Sequence, residues 1–304
     1  MPVTIAVINE KGGVGKTTTA ITVAAGLARR GLTVCLVDAD PQGHVAKYLG
    51  MPEEAGLFDL LVNDRPIASL LRPVPPEKWA DADSDHNGQL VILPGNHRTT
   101  SAGHLLTAEQ APATILRDRL APLRGADVIV MDTSPTVTLL VAMIYVAADR
   151  ILIPTQPELG SVNGVTKAMA RIKTARERGA TVRLMGVVPL MLRRTTEHRA
   201  NLAELVRLLE PEVWEEYENA ADQVHDDEEN FSIVRFLLSR HHDGQVGLLF
   251  SPIAQSTIWP ETPAYSTTIF NYVPPGNKAR LAAERLVDQV EQKLRGGVNN
   301  GKTA

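Results

Sequence analysis

Glu10-Lys11-Gly12-Gly13-Val14-Gly15-Lys16-Thr17-Thr18 combines three glycines, two lysines and two hydroxyls in nine residues. Glycines let successive backbone N–H groups wrap a phosphate chain, and a helix N-terminus behind them adds positive potential. At this spacing Lys16 reaches the β- and γ-phosphates of a nucleotide, and the Thr17 hydroxyl is placed to bind Mg²⁺. The ordinary phosphate-loop pattern has glycine where this chain has Glu10, and Lys11 is an added cation. Two carboxylates extend the set. Asp132 ends the apolar run Val128-Ile129-Val130-Met131, where a phosphate-loop fold puts the acid that orients the magnesium shell. Asp40, in Asp38-Ala39-Asp40-Pro41-Gln42-Gly43, is placed to position an attacking water or to touch the metal.

These residues need strands and helices to hold them. Val3–Ile8 is a short β-branched run ending at the glycine loop and reads as a buried strand. Thr17–Arg30 has helical spacing and stops at Gly31. Thr33–Val37 is a second strand, and further apolar runs follow at Leu90–Leu93, Val128–Met131, Arg150–Ile153 and Leu184–Val188. Helical patterns lie between most of them, so the fold class is α/β: a mainly parallel sheet flanked by helices on both faces, with chemistry at the carboxyl ends of the strands. Two stretches break the rhythm. Arg72–Gly88, rich in Pro, Asp and Asn, reads as a surface loop. Pro211–Gly247 holds an acidic segment and then a helix-like piece, Phe231–Ser239. The expected organisation is one domain over 1–295 with a helical acidic insertion at about 211–247, then a flexible tail over 296–304.

Composition narrows the function classes. Of 304 residues, 44% are hydrophobic and 22% charged, which excludes a wholly disordered chain. Cys35 is the only cysteine, so one chain can build no disulfide framework, Cys-based zinc site or iron–sulfur cluster; in a buried strand it reads as packing. The start shows no secretory signal pattern and no apolar run approaches the ~20 residues of a membrane span, so the expected location is the cytoplasm. The net charge of −4 hides an asymmetry: nine acidic residues and no Lys or Arg lie between Glu212 and Glu229. Without them the chain has 31 basic against 26 acidic residues, a balance of +5 that is compatible with a polyanionic partner.

The loop Lys11–Thr17, the Asp38–Gly43 segment and Val128–Pro135 together resemble the ParA/MinD family of deviant Walker A P-loop ATPases. Within it the chain is most similar to the short, Soj-like ParA-type partitioning ATPases that lack an N-terminal DNA-binding domain. The similarity continues through Leu90–Asn96, Ile153–Glu158 and Gly186–Met191 and returns weakly at Ile253–Tyr272, about four-fifths of the chain in all. The resemblance implies ATP and Mg²⁺ as ligands and a homodimer that sandwiches two ATP molecules. Residues 11–18 would bind the nucleotide, with Lys16 and Thr17 acting in cis and Lys11 reaching the partner's phosphates. Asp40 would help activate water and contact the metal, and Asp132 would support it. It also implies non-specific DNA binding by the ATP dimer, release by hydrolysis that a ParB-like partner or cargo adaptor stimulates, and a nucleoid-associated cytoplasmic protein that moves plasmid, chromosomal or protein cargo.

The chain departs from that pattern in places. Thr22 stands where the family often has Asn, and Ile253-Ala254-Gln255-Ser256-Thr257-Ile258 replaces a basic stretch, with Gln255 and Ile258 in place of arginines. DNA contacts are therefore expected from Arg193, Arg194 and Arg199, or from Arg171, Lys173, Arg176 and Arg178, which equally suit a solvated helix face. Adenine contacts are expected in Gly186–Met191 and Ser251–Gln255. The insertion reads as a solvated acidic helix pair, or as a docking surface for a basic peptide anchored by Trp214, Tyr217 and Phe231. His241-His242-Asp243 reads as exposed polar loop rather than a metal site.

Other classes built on this loop leave different marks. A MinD-like membrane-surface ATPase ends in a basic amphipathic helix, but Lys278–Arg295 has no aromatic residue and a mixed-charge polar face, and reads as a helix packed on the body with no membrane partner. No tyrosine cluster follows Tyr272. A metabolic ATP-dependent ligase needs a substrate pocket with converging polar groups, which no segment announces. A non-hydrolysing nucleotide-gated scaffold has no need of Lys11, Lys16, Asp40 and Asp132 together.

Overall fold

The computed structural model describes residues 1–81, 87–136, 139–221, 232–242 and 244–299. Seven strands form one sheet: β1 Val3–Val7, β2 Thr33–Ala39, β3 Arg72–Pro73, β4 Gln89–Leu93, β5 Val128–Thr133, β6 Arg150–Thr155 and β7 Arg183–Pro189. Their order is β3-β4-β2-β5-β1-β6-β7, parallel except where the short β3 pairs antiparallel with β4. The strand period of two decides which residue faces which layer. Ala6, Cys35 and Val37 join helices Gly56–Leu61, Leu139–Ala147 and Ser161–Glu177 on one face. Ile5, Val7, Val34 and Leu36 join helices Lys16–Arg29 and Lys278–Asn299 on the other. Both faces are covered, so strands such as β5 are buried throughout and read as continuous apolar runs.

The central strands run further than the apolar pattern foresees. β2 continues through Asp38 and Ala39, and β5 through Asp132 and Thr133, with Asp38 opposite Asp132 in the ladder. Backbone pairing tolerates a carboxylate at a strand end, whereas a hydrophobic pattern stops there.

Arg72–Gly88 is not a surface loop over its described part. Trp79 is 2% exposed and its indole N–H donates to the Val74 carbonyl at 3.0 Å. Asp81 then pairs with Arg29 and with the buried Arg280 of the last helix. Proline-rich composition marks irregular backbone, not exposure; residues 82–86 lie outside the described residues.

The last helix, Lys278–Asn299, packs against Lys16–Arg29, and runs past the expected tail boundary at 296. Gly26 makes the close approach possible: a Cβ there would lie 2.3 Å from Val287 Cγ2. Residues 300–304 lie outside the described residues. No described helix is long and apolar enough to cross a membrane.

The acidic stretch contributes helices Pro211–Ala221 and Ser232–His242, following Thr196–Leu209. They are not simply solvated, because Val213, Ile233 and Leu237 are buried in the core. Trp214 and Tyr217 are half-buried and packed, with ring centroids 5.3 Å apart and the Arg207 guanidinium 3.8 Å above Trp214. Neither is an exposed anchor; Phe231 and the acidic residues 222–229 lie outside the described residues. His241 is likewise no exposed loop residue. It lies in the last turn of helix Ser232–His242, and its Nδ1 lies 2.5 Å from Ser251 Oγ; burial pushes its pKa down to about 4. The side chain of His242 and Asp243 lie outside the described residues.

Candidate nucleotide site

The glycine loop joins the carboxyl end of β1 to helix Lys16–Arg29. Its start is anchored by Asn9, which accepts from the Lys11 N–H at 2.9 Å and donates to the Pro154 carbonyl of β6 at 2.8 Å. Gly13 and Gly15 have φ of 75° and 87°, left-handed values that favour glycine. A Cβ on Gly12 or Gly13 would meet nothing within 4 Å, so the loop is an open cradle; Val14 is fully buried beneath it. Lys16, 7% exposed, donates from Nζ to the Lys11 carbonyl at 3.0 Å. Burial lowers its pKa, against which Asp132 and Asp40 favour the charge.

The parallel register of β2 and β5 brings the carboxylates to the same sheet end. Asp132 is fully buried; one oxygen accepts from the Thr17 hydroxyl at 2.7 Å and the other has no hydrogen-bond partner. Burial pushes its pKa up to about 7, with the Thr17 hydrogen bond opposing. Asp38, also buried, accepts from the backbone N–H groups of Asp40 and Val45, both at 3.1 Å. Burial, then the nearby Asp132, pushes its pKa well up. Asp40, 7% exposed, accepts from the Gln42 N–H at 2.9 Å. An orphaned buried carboxylate oxygen beside a threonine hydroxyl fits Mg²⁺ or one of its waters. No described cluster of three or more His, Cys, Asp or Glu side chains could hold a metal by itself. A magnesium shared with phosphates needs none.

A cavity of about 660 Å³ opens above the loop, large enough for a nucleotide. Gly12, Gly13, Gly15, Lys16, Thr17, Thr18 and Asp40 line it on the side of the glycine loop. Of the two segments expected near the base, Leu190, Met191 and Ile253 to Gln255 reach the cavity. Reciprocal backbone bonds hold them together, Leu192 N–H to Ile253 O and Gln255 N–H to Leu192 O, both 3.0 Å. Tyr48, Ser134 and Trp259 line it too; Ser134 and Trp259 lie in segments of family resemblance but carried no expected role, and Tyr48 lies outside all of them.

Lys11 is turned away from this cradle. Its ammonium lies 2.8 Å from Glu158 Oε2, and the Arg193 guanidinium takes the other carboxylate oxygen at 2.7 Å. Glu158 lies in the Ile153–Glu158 segment, whose sequence suggests no role for it. Arg194 and Arg199 are exposed. On helix Ser161–Glu177, Arg171 pairs with Glu10 at 2.8 Å and Lys173 faces Glu177 at 4.0 Å. Arg176 and Arg178 are exposed.

A family model described as "AAA domain" matches residues 3–184. The chain is 36% identical over 188 residues to the chromosome-partitioning ATPase Soj of Thermus thermophilus, covering 62% of this chain and 68% of that protein. It is 33% identical over 207 residues to the chromosome partitioning protein ParA of Myxococcus xanthus, covering 66% and 68%. Among solved structures, an ATP complex of Cyanothece McdA superposes with a TM-score of 0.71 at 19% identity, over 97% of this chain and 96% of that one. Cobyrinic acid a,c-diamide synthase of Mycobacterium smegmatis, with bound ATP analogue and magnesium, gives 0.68 at 22% identity over 98% and 97%. At these identities the two structures speak to the fold alone.

Proposed function

The chain belongs to the ParA/MinD family of P-loop ATPases, on its Soj-like side, and we propose on that footing that it is an ATP-hydrolysing positioning switch. ATP closes two copies into a sandwich dimer that binds DNA without sequence preference. Hydrolysis, stimulated by a ParB-like partner or cargo adaptor, opens it again. The observation that supports this most directly is the pair of lysines. Lys16 is buried beneath its own loop, while Lys11 stands half-exposed at the rim, turned away from that loop.

Backbone N–H groups of residues 12–18 would wrap the phosphates, and Lys16 would neutralise them from below. Thr17 and Asp132 would hold Mg²⁺, which supplies further charge neutralisation at the phosphates. Asp40, on the glycine-loop side of the cavity, would accept a hydrogen bond from the attacking water. Water oxygen then bonds to the γ-phosphorus as its bond to the β-bridging oxygen breaks, giving ADP and phosphate. Lys11 from the partner copy would neutralise charge developing in that step, so turnover requires both copies. Arg194, Arg199, Arg176 and Arg178 are exposed and would contribute contacts to DNA phosphates.

The test is DNA retention by wild type and Lys11→Ala with ATP, ADP or no nucleotide, over a salt series. Expected is ATP-dependent retention that weakens with salt and is lost in the variant. Retention independent of nucleotide, or none in any state, would remove DNA as the track.

A further inference from the structure

The insertion that begins at Pro211 is tied at both ends to one extended segment, and that segment runs into the nucleotide cavity. At its entry Glu210, buried, accepts from the Leu249 N–H at 2.5 Å. Gly247 makes room for this carboxylate, since a Cβ there would run into both of its oxygens. At its exit His241 has Nδ1 2.5 Å from the Ser251 hydroxyl. Ser251 is buried, and its N–H donates to Gln289 of the last helix at 3.1 Å. Residues 248–253 meanwhile run beside β7. The Val187 N–H donates to Leu248 O at 2.7 Å, and the Phe250 and Ile253 N–H groups donate to Val187 O and Pro189 O at 2.8 Å. Ile253, two positions after Ser251, then lines the cavity with Ala254 and Gln255.

The two ties hold different things. Glu210 is fixed from behind: its N–H donates to Val206 O at 2.8 Å, and its carbonyl accepts from the N–H groups of Val213 and Trp214. Helix Ser232–His242 docks through one face, with Ile233, Leu237 and His241 at successive turns. Eleven residues are too few to keep a helix by themselves, so this face decides whether it forms. We infer that helix Ser232–His242 is a latch linked to the nucleotide cavity, held down when the cavity is filled and loosened when it is empty. The inference rests on reading the cavity as a nucleotide site. A nucleotide against Ile253–Gln255 orders the segment that carries Ser251, so His241 meets a hydroxyl already in place and the helix docks at lower entropic cost. Linkage makes this reciprocal: whatever loosens the helix weakens nucleotide binding by the same factor.

The experiment measures amide hydrogen exchange of peptides spanning 232–242 and 249–255, with and without saturating Mg-ADP, which avoids turnover. Wild type is compared with His241→Leu, which fills the space without a polar atom, and His241→Asn, which keeps one near the Nδ1 position. Expected is at least about fivefold slower exchange of 232–242 on adding Mg-ADP to wild type and His241→Asn, and none in His241→Leu. A wild-type helix indifferent to Mg-ADP while 249–255 slows, or a His241→Leu helix that still responds, overturns the inference. Should His241→Leu leave the helix unprotected throughout, the Kd for Mg-ADP decides: a rise of about fivefold, reversed in His241→Asn, supports the latch, and an unchanged Kd overturns it. If wild type binds no nucleotide, the reading of the cavity fails. Exchange of 249–255 in the nucleotide-free proteins then decides the tie separately: faster in His241→Leu keeps it, and equal rates overturn it.

Discussion

Asp132→Asn should make the nucleotide-free protein more stable as it impairs nucleotide binding, and the size of the gain should depend on pH. Asp132 is fully buried, with one oxygen on Thr17 and the other unpartnered. Burial raises its pKa from 3.8 to about 7. A carboxyl raised in the folded state binds more protons folded than unfolded between those values, so wild-type stability falls as pH rises through that window. From pH 5 to pH 8 the ionisation of this one group withdraws about 3 kcal/mol. The asparagine keeps an acceptor for Thr17 and has nothing to ionise. The stability difference between variant and wild type should therefore grow by about 3 kcal/mol over that interval. The attraction between the Asp132 charge and the Lys16 ammonium appears only as Asp132 ionises and already acts to lower its pKa, so its loss in the variant makes no separate contribution. Asp38, in register with Asp132, also has a raised pKa; its contribution shrinks in the variant, so any residue of it acts in the same direction. Urea denaturation at pH 5 and pH 8 in EDTA, followed by tryptophan fluorescence, reads the difference. Saturating Mg-ATP should add about 2.7 kcal/mol to wild type at a hundredfold excess over its Kd, and much less to the variant. A difference that stays flat with pH, or turns against the variant at pH 8, would refute the assignment of Asp132 as a strained buried charge kept for ligand binding.

Asp40→Ala should lower ATP turnover at least ~100-fold while ATP-bound dimers accumulate; a variant that stays monomeric with ATP in sedimentation would take Asp40 out of the water-positioning role. Asp81→Ala should cost about 2 kcal/mol in denaturant unfolding, because Arg280, 4% exposed, would keep only Glu284 and the carbonyls of Phe270 and Val273. An unchanged midpoint would show that those carbonyls suffice. Burial, foremost, lowers the His241 pKa from 6.5 to about 4, so the folded state binds fewer protons than the unfolded one and stability is lost as pH falls through that window. Discounted for partial solvent access, the loss is on the order of 2 kcal/mol, and it should be absent from the pH profile of His241→Gln.

The glycine loop, six of the seven strands and the placement of Asp40 and Asp132 at strand ends were legible in the sequence, because each is written in a short span. Glycine spacing, an apolar run and a carboxylate at its end are local signals, and strands buried on both faces leave little ambiguity about class. The cavity was legible only in part. Leu190, Met191 and Ile253 to Gln255 were expected near the base, but Tyr48, Ser134 and Trp259 reach it from three separate segments with no periodicity or motif in common. Composition misled at Arg72–Gly88, where prolines signalled irregular backbone but Trp79 is buried in a core cluster assembled from segments distant along the chain. By itself the sequence determined the kind of fold and where the glycine loop sits in it, since both are carried by neighbours along the chain. Tertiary structure alone decided the register of Asp38 against Asp132, the raised charge cost at that sheet end, and the meeting of Lys11, Glu158 and Arg193. Those depend on desolvation and on pairs up to 147 positions apart, and neither quantity is written in a local pattern.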